Sequence, residues 1–126
     1  MDIKTSGYNI PDVTVSAAVT TGTKTEVGTA KEFYQIAKMV EQSGLMIVGV
    51  TVGGNYMHGS VLANYYNGDG NIGIDFGGVT NFGYSPSAIA GTLELGTGAN
   101  ADKCYVTMTV TPLGSQAKTS TRAKSE

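Results

Sequence analysis

The sequence predicts an α+β fold, mostly antiparallel β: a β-sheet or small sandwich carrying one amphipathic helix at about 29–43 and an extended N-terminal strand. Three observations predict it. Charged residues are only 14% of the chain, so Thr, Ser, Asn and Gly must supply the surface polarity, and their short side chains suit strand faces and tight turns better than exposed helix. Apolar residues recur at every second position in several segments, the period of a strand. Only one segment shows a helix start signal followed by apolar residues at helical spacing.

From Val13 to Val19 the alternation is Val13, Val15, Ala17, Val19 with Thr14, Ser16 and Ala18 between them, which predicts the first strand. The segment from Thr20 to Gly28 is rich in Thr and Gly and reads as a connection. Thr29-Ala30-Lys31-Glu32 fits a capping box, in which the Thr hydroxyl and the Glu carboxylate each satisfy a backbone N–H that the first turn leaves unpaired. Phe33, Ile36, Ala37 and Val40 then form one apolar stripe, and Ser43-Gly44 closes the helix because Gly accepts the left-handed conformation needed there. Leu45 to Val52, the Gly53-Gly54 turn and Tyr56 to Tyr66 predict a β-hairpin. After the turn Asn67-Gly68-Asp69-Gly70, a strand is expected from Asn71 to Phe76, with Ile72, Ile74 and Phe76 on one face. Gly77 to Ala90, broken by glycines and Pro86, reads as loop with a short strand at Val79 to Phe82. Strands are expected at Thr92 to Leu95 and Lys103 to Val110, the second ended by Pro112.

With 126 residues the chain suffices for a single hydrophobic core. The expected organisation is an N-terminal arm at 1–28 serving oligomerisation or attachment, a globular β-rich domain at 29–112 and a polar tail at 113–126. The formal charge is −2, and the basic residues are dispersed except for Lys118, Arg122 and Lys124. Nucleic-acid binding requires a concentrated basic face, so it is not expected. No run approaches the roughly 20 apolar residues of a membrane span, and the first residues lack the basic-then-apolar order of a secretory signal, so a soluble, unprocessed product is expected.

Each candidate chemistry meets a simpler account. Gly96-Thr97-Gly98-Ala99-Asn100-Ala101 has the spacing of a dinucleotide loop, but a strand follows where a helix N-terminus must hold the pyrophosphate. Asn67, Asp69 and Asn71 have the spacing of the first ligands of a calcium loop. Ile72 replaces the turn glycine and Gly78 the bidentate Glu, so a hairpin turn is the expected role. Cys104 falls on the apolar phase of its strand, and the only histidine, His58, is distant in sequence, so a buried thiol is expected rather than a nucleophile. His58 alone supplies too few ligands for a metal site. Asp75 and Glu94 form the one carboxylate pair to weigh for a hydrolase. Tyr65, Tyr66 and Tyr84 are candidates for an aromatic platform under a sugar ring, which makes a small carbohydrate-binding module the first alternative reading. No catalytic residue, cofactor or metal is expected.

The passage from Thr29 to Met46, Thr-Ala-Lys-Glu-Phe followed by a short amphipathic helix and Ser-Gly-Leu-Met, resembles a segment of bacteriophage head-fibre and capsid-decorating proteins. The resemblance covers about 18 residues, and a low-charge stretch rich in Thr, Ser and Gly precedes it, as residues 5–28 do here. It implies a virion structural protein that assembles as a homo-oligomer, with a trimer favoured, attaches to the phage capsid protein, and faces outward where it meets host-surface glycans. It implies synthesis in the host cytoplasm and residence in the virion. Without coiled-coil heptads or a Gly-x-y run to make a shaft, a short spike or decorating protein fits better than a long fibre. An alternating strand at Val13, Val15, Ala17 and Val19, if it had no partner within the chain, would expose open edges that an oligomer would close.

Overall fold

A computed structural model of the chain describes the backbone of residues 1–64, 70–82 and 85–113, with side chains at 1–57, 70–74, 82 and 86–113. The described residues form an α+β structure of mostly antiparallel strands in two sheets with one α-helix. The elements are β1 (Asp2–Ser6), β2 (Ile10–Thr14), β3 (Thr25–Thr29), α1 (Ala30–Ser43), β4 (Met46–Val52), β5 (Asn55–Asn64), β6 (Asn71–Phe82), β7 (Ser85–Leu95) and β8 (Lys103–Pro112). Single 3-10 turns lie at Gly7–Asn9 and Gly98–Asn100. The strand order is β1-β2-β4-β5-β6-β7-β8-β3. β5 joins the sheets: its first part pairs with β4, and Leu62 to Asn64 pair with β6.

The helix forms as its sequence dictates. The Thr29 hydroxyl accepts a hydrogen bond from the Glu32 N–H at 3.1 Å, while Glu32 Oε1 accepts one from the Thr29 N–H at 2.9 Å. Gly44, at φ +73°, donates its N–H to the Val40 carbonyl and ends the helix. Phe33, Ile36, Ala37 and Val40 are all buried. They face a core built from Val13 and Val15 of the N-terminal segment, Val48 and Val50 of β4, Ile72 and Ile74 of β6, and Leu93, Val106 and Met108 of β7 and β8. α1 packs against β2, β3, β7 and β8, so one helix seals both sheets. Inside this core, between β2, β4, β6, β7 and β8, is an apolar cavity of about 20 Å³.

The β4–β5 hairpin closes through Gly53 and Gly54, both at positive φ (55° and 83°), between the paired Val52 and Asn55. Two consecutive positive-φ residues match the twist of the flanking strands, which is why this turn takes two glycines.

Several elements differ from expectation, each for a reason of tertiary pairing. The regular ladder of β2 ends at Thr14, but the chain keeps to the side of β4: Val15 N–H donates to the Gly49 carbonyl and Val19 N–H to that of Thr51. The alternation through Val19 therefore records burial beyond the strand. Residues 1–28, expected as an arm, supply β1, β2 and most of β3, and Val13, Val15, Val19 and Val27 lie in the chain's own core. β2 lies between β1 and β4 and has no free edge. Val13, Val15 and Val19, expected at an oligomer interface, are 2%, 7% and 2% exposed within the single chain, and Ala17 is half-buried.

The expected connection at 20–28 contains β3, an edge strand held by its pairing with β8 and burying only Val27. The described residues of the expected loop at 77–90 are the paired ends of β6 and β7, and the glycine pair Gly77-Gly78 falls where their register shifts, between Asp75 and Val79. Glycine suits such an irregularity. The tail at 114–126 lies outside the described residues.

Candidate functional site

Two surface features stand out once the core is assigned. The first is aromatic. Tyr8 is 95% exposed and Tyr34 54% exposed, and the 3-10 turn that carries Tyr8 packs against the helix that carries Tyr34. Tyr8 is held at φ +61°, ψ +30°, and Asn9 follows at φ +61°. A left-handed backbone is routine for Asn and costs a residue like Tyr about 1–2 kcal/mol. The β1–β2 hairpin thus projects a large ring into solvent from a backbone that favours a small or polar residue. Tyr34 stands edge-on to the buried Phe33, with ring centroids 5.5 Å apart and planes at 86°, which fixes where the helix presents it.

The second feature is a polar depression of about 190 Å³ lined by Lys24, Gly96, Thr97, Asn100 and Tyr105. Lys24 precedes β3, Tyr105 comes from the outward phase of β8, and the rest belong to the β7–β8 connection. Lys24 Nζ lies 5.1 Å from the centre of the Tyr105 ring and 3.8 Å from Glu94 Oε2. The connection is held by its own backbone: Gly96 N–H donates to the Lys103 carbonyl at 2.9 Å and Asn100 N–H to that of Thr97 at 3.0 Å. Gly96 is buried, and a Cβ there would collide with the Asn100 carbonyl oxygen and lie 2.9 Å from Tyr105 Cε1. The glycines that mimic a dinucleotide loop thus serve a tight turn, and a strand follows them.

The candidates read from sequence are dispersed. Cys104 is fully buried, and burial, reinforced by the negative charge of Glu32, pushes its thiol up to about 11. It is therefore protonated at neutral pH and a poor nucleophile. His58 lies on β5, three strands from Cys104 on β8. Asp75 stands opposite Ala90 in the β6–β7 register, whereas Glu94 stands opposite Asn71. The two carboxylate positions are therefore four residues apart along the pair, about 13 Å at 3.3 Å per residue, and Glu94 is engaged with Lys24. Tyr65, Tyr66 and Tyr84, and with them Asn67 and Asp69 of the calcium-like spacing, lie outside the described residues. Among the described residues no group of three or more His, Cys, Asp or Glu gathers as a metal site, and no helix is long and apolar enough to cross a membrane.

Tyr8 and Tyr105 were not among the sequence candidates. For Tyr105 the signal was present, since it is the one aromatic on the outward phase Tyr105, Thr107, Thr109 of β8. Tyr8 had no comparable signal, because the hairpin around it depends on β1 pairing with β2. Comparison with protein-family models, curated proteins and solved structures found no match.

Proposed function

We propose that this chain is a virion structural protein, a short head fibre or capsid-decorating domain of a tailed phage that works as a homo-oligomer, with a trimer favoured. Its work is to present a rigid contact surface. The phage assignment is supported by the resemblance of Thr29 to Met46 to head-fibre proteins, a segment that here spans the helix cap, α1 and the first residue of β4.

The observation that carries the assembly reading is the exposed aromatic pair Tyr8 and Tyr34 on neighbouring elements. Tyrosine supplies large, amphipathic contact area and is enriched at interface cores. A ring kept at the tip of a hairpin at a cost in backbone strain fits a contact residue better than a residue serving the fold. The free edges of the end strands are less suited to the task. β1 carries Asp2 and Lys4, and β3 carries Glu26, charges that discourage edge-to-edge pairing. The reading therefore places self-contact on the Tyr8 and Tyr34 side.

The test is the mass of the Tyr8→Ser, Tyr34→Ser double variant by light scattering on a size-exclusion column. Dissociation to 13.0 kDa from an assembled parent, with an unchanged circular dichroism spectrum, is the expected result. An assembly that persists in the double variant places the interface elsewhere.

A further inference from the structure

We infer that the depression between Lys24, Tyr105 and the 96–100 connection is a binding site for a single sugar ring. The site is separate from the Tyr8 and Tyr34 surface, so it stands or falls independently of self-assembly.

Size comes first. At about 190 Å³ the depression is smaller than the roughly 300–1,000 Å³ typical of pockets for drug-sized ligands. It admits one ring and its substituents rather than a nucleotide. The chemistry of the walls narrows the class further. The face of Tyr105 that borders the depression carries the Lys24 ammonium at 5.1 Å, so a ring stacking there takes the place of that cation. An aromatic face next to polar groups suits a pyranose, whose C–H face is apolar and whose rim is hydroxylated.

The depression is also lined by Thr97, Asn100 and Lys24, residue types that carry a hydroxyl, an amide and an ammonium, and the Glu94 carboxylate lies beside Lys24. This set mixes donors and acceptors, as sugar hydroxyls require, since each both donates and accepts. A phosphate or other compact anion fits poorly because Glu94 offsets the charge of Lys24 at 3.8 Å.

The site is also pre-formed. The 96–100 backbone is pinned to Lys103 and to itself, and Gly96 keeps the floor clear beside Tyr105. Only Lys24 has to move. Its side chain is 49% exposed and its partner is the partly exposed Glu94, a solvent-screened pairing that holds it weakly. The ligand therefore pays little to enter, in keeping with binding to organised sites.

The experiment is a ¹H–¹⁵N titration of the full chain with the methyl glycosides of glucose, galactose and mannose and with N-acetylglucosamine, and with inorganic phosphate in parallel. With one ring, one stack and a few hydrogen bonds, a dissociation constant of roughly 1–10 mM is expected for at least one sugar. The saturable shifts should centre on the amides of Gly96, Thr97, Asn100 and Tyr105. Tyr105→Phe should retain binding and Tyr105→Ala abolish it. If Tyr105→Ala fails to fold, Asn100→Ala, at an exposed position, serves in its place and should weaken binding at least threefold. No saturable shift with any sugar, shifts that survive both truncations, or a response to phosphate alone would each overturn the inference.

Discussion

Tyr8 and Cys104 show what single residues contribute and cost. Because Tyr8 is held in the left-handed region, Tyr8→Asn should raise the stability of the monomer by about 1 kcal/mol, the lower end of the penalty for such a conformation. Urea titration of the dissociated chain measures this. The same substitution should weaken assembly, so stability and self-association would change in opposite directions. Cys104 makes a prediction of a different kind. Its thiol is raised from 9.0 to about 11, which means the folded state favours the protonated form more than the unfolded state does. The resulting stability is fully present below pH 9.0 and is lost as pH rises through about 11. The unfolding free energy of the parent, from urea titrations at a series of pH values, should therefore fall more steeply over this range than that of Cys104→Ala. Identical slopes would mean that the thiol ionises in the folded state as easily as in the unfolded one.

Among the elements, α1 was the most legible from sequence because its signals are local. Both halves of the capping box lie within four residues, and the buried stripe follows from helical spacing alone. Removing the cap with Thr29→Ala should cost about 1 kcal/mol, read from the urea midpoint. Thr29→Ser should recover most of it, because a Ser hydroxyl can take the same N–H. The β4–β5 hairpin was equally legible, since two glycines at its tip leave few alternatives to a tight turn. β3 was not legible. Its Thr-Glu-Val-Gly-Thr sequence buries one side chain and owes its strand geometry to the distant β8, where Thr25 meets Val106 and Thr29 meets Lys103. The far ends of β6 and β7 were hidden for a related reason. Their glycines and Pro86 read locally as breakers, whereas in the sheet they accommodate a register shift and lie near a strand start. Of the surface features, the Lys24 and Tyr105 depression depends on β3 and β8 being neighbours, so no local pattern could announce it.

At the scale of the whole molecule, the two end strands of the sheet order come together at one point: the Met1 ammonium donates to the Val27 carbonyl of β3 at 3.0 Å and lies 4.0 Å from Glu32 of the helix cap. That contact links the start of β1, β3 and the first turn of α1 into one packed unit. The proposed self-assembly is a contact between folded domains, and a stable contact of that kind needs a buried apolar centre with a polar rim. Tyr8 and Tyr34, among polar helix residues such as Lys31, Gln35 and Lys38, are arranged in that way.

The solution mass of the unmodified chain, followed by light scattering across a dilution series, tests this account most directly. A stable multiple of 13.0 kDa, a trimer above all, is the expected result. A monomer at every concentration would contradict it.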